Sequence, residues 1–288
     1  MSWRVVVVNK RAKLDLQMNY LVIRSEEITK IYLGEISTVM IENTAISLTV
    51  ALLAELIKRK IKVVFCDEKR NPSSELMPYY GSHDTSSKIR NQINWDKGVC
   101  DSVWTKIVEQ KIKMQSNFLK KLRLSEAEML DGYIEDIEYK DATNREGHAA
   151  KVYFNALFGK DFTRDKDIPI NSALNYGYSI ILSAFNREIV SNGYITQIGL
   201  FHDNIFNQFN LASDLMEPFR PIIDETVFSM NSETFEYKHK VLLIQTLTQT
   251  VIINNKKNDV NNAIKVYCKS VFDAIENKNI KLIKFYET

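Results

Sequence analysis

Tyr80-Gly81-Ser82-His83-Asp84-Thr85-Ser86-Ser87 divides the chain into two textures. The stretch is polar and holds a breaker, as a connector between folded units does. Before it, Trp3–Val8 is a continuous Val-rich run suited to a strand buried on both faces. Leu14–Met18 alternates with period two, and Tyr20–Ile23, Ile28–Leu33, Ser37–Ile41 and Lys62–Cys66 follow as short strands. Thr44 offers a hydroxyl cap to a helix from Ala45 to about Arg59, and Asn71-Pro72-Ser73-Ser74 closes the unit. After the connector the period changes. Val99, Val103, Ile107, Met114, Phe118 and Leu122 recur at steps of three, four and seven, the stripe of one long helix. Further helices are expected over Glu126–Tyr139, from a cap at Asn144, from a cap at Asn171 to Gly193, and over Val260–Ile275. The reading is a two-domain protein. A small N-terminal β-sheet or sandwich domain with one helix (1–80) precedes a larger all-α C-terminal domain (81–288).

Composition agrees. Among 288 residues there are only nine Gly and five Pro, where average usage gives about 35 together, so tight turns are few and long helices are favoured. The net charge of +2 argues for no partner by itself, but residues 81–123 carry nine basic and four acidic side chains. On the long helix Lys106, Lys111, Lys113, Lys120 and Lys121 are expected on exposed faces, either as a solvated surface or as a phosphate-facing stripe. Cys66, Cys100 and Cys268 are far apart with no C-x-x-C spacing, which excludes a zinc ribbon and a redox pair and fits a reducing compartment. The N-terminus has no signal-peptide core, and the longest apolar stretch, near Leu48–Ile57, is broken by Thr49 and Glu55. A soluble, cytoplasmic protein without a membrane segment is expected.

The motifs of P-loop, dinucleotide-binding, nucleophile-elbow, H-E-x-x-H and EF-hand proteins are absent from the sequence. What remains is a carboxylate–histidine site. His202, in Gly199-Leu200-Phe201-His202-Asp203-Asn204, sits where an apolar approach meets a polar cluster. Asp214 and Glu217 follow as an i,i+3 pair that a helix would put on one face. Oxygen-rich ligands with one imidazole suit Mg2+ or Mn2+. The same residues also fit a satisfied core histidine beside acids at a helix N-terminus. Glu146 heads a helix among apolar neighbours on its face, and a carboxylate aimed inwards needs a metal or a partner charge. His148 lies on another face from Glu146 and is not expected as a co-ligand, while His83 in the connector and His239 between lysines are expected solvated. Asp203 beside His202 would suit an HD-type phosphohydrolase.

Four segments in order carry a resemblance: Arg145-Glu146-Gly147-His148-Ala149-Ala150-Lys151-Val152-Tyr153-Phe154; Asn171-Ser172-Ala173-Leu174-Asn175-Tyr176-Gly177-Tyr178; Gly199-Leu200-Phe201-His202; and Asp214-Leu215-Met216-Glu217-Pro218-Phe219-Arg220-Pro221. Together they resemble the CRISPR-associated integrase family, and the last wording looks most like its type II-A branch. The resemblance implies a metal-dependent DNA integrase and endonuclease that inserts spacer DNA into a CRISPR array. It implies Glu146, His202 and Glu217 as catalytic metal ligands, with Asp214 as a neighbouring acid. Arg220 is expected either to orient the Glu217 carboxylate or to form a surface ion pair. With Lys106, Lys111 and Lys113 it is also a candidate DNA contact. Implied partners are double-stranded DNA (spacer and repeat), a second copy through the β domain, and a small ferredoxin-like adaptation protein. Two departures stand out. Ile195-Thr196-Gln197 replaces a Pro-containing turn, and Pro218 directly after Glu217 breaks the helix in which the acids would pair. Competing readings are a non-enzymatic DNA-binding scaffold and a metal phosphohydrolase acting on nucleotides.

Overall fold

The computed structural model describes residues 4–79 and 82–287. Strand β1 (Arg4–Val8) lies parallel to β5 (Ile36–Ile41), which lies parallel to β7 (Lys62–Cys66); β8 (Pro72–Glu75) closes this sheet antiparallel, in the order β1-β5-β7-β8. A second sheet has the order β4 (Ile28–Tyr32), β3 (Tyr20–Arg24), β2 (Lys13–Gln17) and β6 (Ser47–Leu48). Helix α1 (Val50–Lys58) buries Leu52 and Leu56 in a core shared with Leu14, Leu21, Ile36, Val39 and Val63.

Side chains on a strand alternate between faces. On β7, Val63 therefore enters this N-terminal core, while Val64 and Cys66 enter the core of the helical body. On β5, Val39 and Ile41 face the first core and Met40 the second. Every residue of β5 is buried, Ser37 and Thr38 included, and the Ser37 hydroxyl donates to the Arg4 carbonyl at 3.2 Å.

The helix expected from Ala45 starts later. Ser47–Leu48 pairs with β2 instead, Ser47 and Thr49 donating to the Ala12 and Leu14 carbonyls at 3.0 and 3.2 Å. Thr49 caps α1, its hydroxyl accepting from the Leu52 amide. The exposed edge of β2 captures the segment before the helix can begin. The expected cut between 80 and 81, like Trp3, with which the first strand is expected to begin, lies outside the described residues.

Beyond the connector come α2 (Thr85–Ile93), α3 (Lys97–Lys121), α4 (Glu126–Glu135), α5 (Arg145–Phe158), α6 (Pro169–Ser191), α7 (Asn210–Leu215), α8 (Arg220–Met230), α9 (Tyr237–Gln245) and α10 (Val260–Glu276). The fold class is thus as expected, a β region followed by a largely helical one. Helix α4 stops short of Tyr139, which belongs to a separate 3-10 turn. Helix α6 starts at Pro169, a residue pre-set for the first turn, rather than at Asn171. Asn171 instead donates to the Thr163 and Lys166 carbonyls and ties down the preceding loop.

The helical body also carries a small sheet, β10 (Lys256–Asp259), β9 (Thr250–Ile253) and β11 (Tyr286–Glu287). Its hairpin turns on Asn254 and Asn255, at φ of 53° and 58°, the left-handed pair that a two-residue turn requires. Helix α3 is central. It packs against α4, α5, α8, α10 and the turn after α7, so its buried residues extend well beyond one stripe.

Gly177 on α6 marks a close helix crossing. A Cβ there would meet Ile223 Cγ2 of α8 at 2.5 Å and Leu243 Cδ2 of α9 at 3.1 Å. Gly177→Ala, which normally favours a helix, is expected to destabilise this protein by about 1–3 kcal/mol through overpacking. A lower urea midpoint at unchanged m-value checks it.

Candidate active site

Glu146 stands in the first turn of α5, fixed by an interlocked cap. Asn144, in a left-handed conformation, accepts from the Gly147 amide at 3.3 Å. The two oxygens of Asp141 accept from the Arg145 and Glu146 amides at 2.7 and 3.1 Å. Burial pushes the Asp141 carboxyl above its ordinary range despite those two bonds.

Glu217 sits where helix gives way to helix. α7 ends at Leu215, Glu217-Pro218-Phe219 makes one 3-10 turn, and α8 begins at Arg220. The break that Pro218 forecasts is present. Strand β11 holds the turn from behind, the buried Tyr286 hydroxyl donating to the Pro218 carbonyl at 3.0 Å. Glu217 is 4% exposed.

His202 lies in a loop that folds onto Asp214. Asp214 is fully buried, and its carboxylate accepts from the amides of Leu200 (2.6 Å), Phe201 (3.0 Å) and His202 (3.2 Å) and from His202 Nδ1. Three amide dipoles around one carboxylate form an anion nest. A side chain at Gly199 would strike Asp214 Oδ2 at 2.7 Å, so this approach needs glycine. Because a carboxylate only accepts, Nδ1 carries the proton and Nε2 is left for other work. Trp104 of α3 backs the loop, stacked on Phe201 with centroids 4.5 Å apart and meeting the His202 ring edge-on at 5.6 Å.

The two acids of the i,i+3 pair therefore do different things, contrary to the expectation of one shared face. A helix end falls between them. Asp214 organises the histidine loop, and Glu217 faces α3 and α8. There its Oε1 accepts from Arg220 Nε at 2.8 Å and its Oε2 from Lys111 Nζ. The same ammonium donates to Glu146 Oε1 at 2.5 Å.

Lys111 is the main correction to the sequence reading. Expected on an exposed face with DNA phosphates as its partner, it is 6% exposed and ion-paired between the two glutamates. α3 is packed on too many sides for position 111 to reach solvent. A signal was present in the sequence. The apolar stripe jumps seven residues from Ile107 to Met114, and Lys111 fills the gap. Of the other candidate DNA contacts, Lys113 is exposed, Lys106 is half-buried and paired with Glu109, and Arg220 is engaged by Glu217 and lies 4.6 Å over the Tyr178 ring.

Charges dominate the titration of this cluster. Burial pushes the Glu217 carboxyl up, but Arg220 and Lys111 outweigh it and hold it below its ordinary value. Burial likewise opposes the charge on Lys111, and the two glutamates overcome it, raising its pKa. The hydrogen bond that the His202 ring donates to Asp214 raises the His202 pKa, against burial and with help from the charges of Asp214, Glu217 and Glu146. Nearby Asp224, which sequence reading passed over, is pushed up to about 7 by burial and accepts from the Tyr178 hydroxyl at 2.5 Å.

The remaining histidines divide. His83 is exposed as expected, and His148 is exposed too. His239 is buried rather than solvated, its Nδ1 accepting from the Glu236 amide to cap α9. Asp203 is exposed, and the carboxylate on His202 is Asp214, so the adjacent His-Asp pair forms no unit.

Among the described residues, no three His, Cys, Asp or Glu side chains already stand in metal-holding geometry. The donor set nevertheless fits a hard divalent ion. Two carboxylates, one buried and one half-buried, converge on a single cationic nitrogen, and His202, held through Nδ1 by Asp214, offers an imidazole as a third donor type.

The sequence matches the family described as CRISPR associated protein Cas1 over residues 5–254. It is 32% identical to a CRISPR-associated endonuclease Cas1 of Neisseria meningitidis serogroup C, over 100% of this chain and 97% of that one. Two solved structures share the fold. One is a casposase bound to integration product, with TM-score 0.76 and 21% identity over 97% of this chain and 92% of that one. The other belongs to a Cas6-RT-Cas1–Cas2 complex, with TM-score 0.72 and 17% identity over 97% of this chain; this chain spans 36% of that longer one.

Asp214→Asn is expected to cost about 2 kcal/mol or more of stability, because an amide cannot accept from three amides and an imidazole at once. The His202 pKa, raised above 6.5 in the folded protein, falls back towards it. The sign follows from linkage. The stability that His202 contributes is full below the unfolded pKa and is lost as pH rises through the raised folded value, and the substitution flattens that dependence. NMR titration of the His202 ring, with urea melts at several pH values in chelator, measures both.

Proposed function

Since this chain belongs to the CRISPR-associated Cas1 family, we propose that it is a divalent-metal-dependent DNA endonuclease and integrase that inserts spacer DNA into a CRISPR array. What carries the reading is the convergence of Glu146 and Glu217, from distant parts of the chain, on the one cation of Lys111. Glu146, His202 and Glu217 are the proposed metal ligands, and Mg2+ or Mn2+ suits two carboxylates and one imidazole. Such an ion supplies a Lewis acid that acidifies the attacking hydroxyl and offsets charge on the reacting phosphate.

The chain's own residues do the positioning. Asp214 fixes the imidazole tautomer and aims Nε2 outward. Arg220 occupies one oxygen of Glu217 and thereby orients the other. Asp141 and Asn144 lock the turn that carries Glu146. The reaction is a transesterification: the 3′-hydroxyl oxygen of incoming DNA attacks the phosphorus of a repeat phosphodiester, the P–O bond to the repeat strand's own 3′-oxygen breaks, and that oxygen leaves as a hydroxyl; water in place of the attacking hydroxyl gives cleavage.

The finer parts belong to the same proposal. They are the type II-A branch, which rests on the Met216–Pro221 wording, and a cytoplasmic location. They also include a division near residue 80, with the N-terminal region serving a homodimer and partner contacts, and a small ferredoxin-like adaptation partner. The relative titled as a Cas1–Cas2 complex supports a second Cas protein as partner. No described helix is long and apolar enough to cross a membrane.

Glu146→Ala and His202→Ala are each expected to lower metal-dependent nicking and joining of duplex DNA by about a thousandfold or more, with circular dichroism unchanged. Joining that survives both changes in the presence of chelator would remove these residues from the chemistry, and duplex binding without any metal-dependent joining by the wild type would return the protein to a scaffold role. For DNA placement, Lys113→Glu is expected to weaken duplex binding and reduce its salt slope by about one. A fluorescence titration at several salt concentrations reads this, and an unchanged slope would remove α3 from the DNA surface.

A further inference from the structure

Lys111 occupies the position that the metal reading reserves for an ion. Its ammonium bridges Glu146 Oε1 and Glu217 Oε2, and Glu217 Oε1 is already taken by Arg220. An ion shared by the two carboxylates would therefore compete with Lys111 for Glu217 Oε2, since Arg220 holds the other oxygen. We propose that Lys111 is an internal substitute cation, holding the two glutamates together before metal arrives and giving up that place when it does. The inference rests on the ligand set proposed above and concerns how that site is loaded.

Three observations support it. First, Glu217 and Lys111 are 4% and 6% exposed, and carboxylates in such a place must be neutralised whether or not metal is bound. Second, the geometry suits exchange. A charge-assisted N–H···O bond of about 2.8 Å is longer than a Mg2+–oxygen bond of about 2.1 Å by well under an ångström, so the glutamates need little movement when one cation replaces the other. Third, Lys111 is held on the buried face of α3, which packs directly against α5 and the Glu217–Phe219 turn. The ammonium is delivered by the same helix that spaces the two acids.

The charges then give the exchange a consequence. Glu146, Glu217, Lys111 and Arg220 cancel, so the metal-free recess offers a phosphodiester no net attraction. A divalent ion gained, with both cationic side chains retained nearby, leaves the recess two charges positive. The site thus becomes attractive to DNA only once loaded. The lysine-bridged state also lowers the apparent metal affinity, because only the fraction of molecules with the oxygens released can bind.

The test uses the full chain freed of metal, with Mn2+ as probe, and reads calorimetric affinity and melting temperature instead of activity. Lys111→Met is expected to melt below wild type in chelator, to gain more from saturating Mn2+, and to bind Mn2+ about tenfold more tightly. An affinity equal to or weaker than wild type overturns the inference. If Lys111→Met does not fold in chelator, Lys111→Gln, which keeps donors without charge, must show the same gain in affinity. Glu217→Gln separates the two claims. If wild type and Glu217→Gln bind Mn2+ alike, the ligand set itself is wrong, whatever Lys111 does.

Discussion

Two glutamates from distant parts of a chain cannot share a dry recess unless positive charge stands between and beside them. That constraint orders the centre of this protein. Glu146 and Glu217 approach through Lys111, and Arg220 balances what remains. A buried ion cluster of this kind is a poor source of net stability, because desolvation consumes much of the Coulombic gain. Removing one member is nonetheless expensive, since its partner is then left charged and dry. The arrangement is better understood as a device of position than of stability.

Position is enforced at every backbone that carries one of these groups. Asp141 and Asn144 bind the first turn of α5, Tyr286 holds the Pro218 turn, and Asp214 gathers three amides and an imidazole. Asp214 and Tyr286 are buried with their partners present, the condition under which such groups rigidify a site rather than weaken it, while Asp141 is half-buried and Asn144 is exposed. Trp104 adds an apolar wall behind the histidine loop. Helix α3 contributes that wall, the bridging ammonium and the packing core together, which explains why it is buried so far around its circumference.

Some of this was legible in the sequence because it is local. The two-residue period before residue 66, the stripe from Val99 to Leu122, the Asn144 cap, the break at Pro218 and the left-handed Gly193 all follow from backbone chemistry within a few residues, and all appear in the structure. The start of α1 was misjudged because the edge of β2 competed for residues 47–49, and a strand partner 34 residues away leaves no local mark. The small sheet of the helical body escaped notice for the same reason, since β11 joins β9 only through the fold.

The sequence alone determined which chemical groups were available: two helix-borne glutamates, a histidine after an apolar approach, and an acid three residues before Glu217. It also determined the order of elements that would carry them, because hydrogen bonding and hydrophobic period act over short spans. Only the tertiary structure decided what those groups face. It turned Asp214 to the backbone instead of the recess, and it turned Lys111 inward to the glutamates instead of outward to solvent. Which face of a helix is buried depends on every element packed around it, and that is a property of the whole fold.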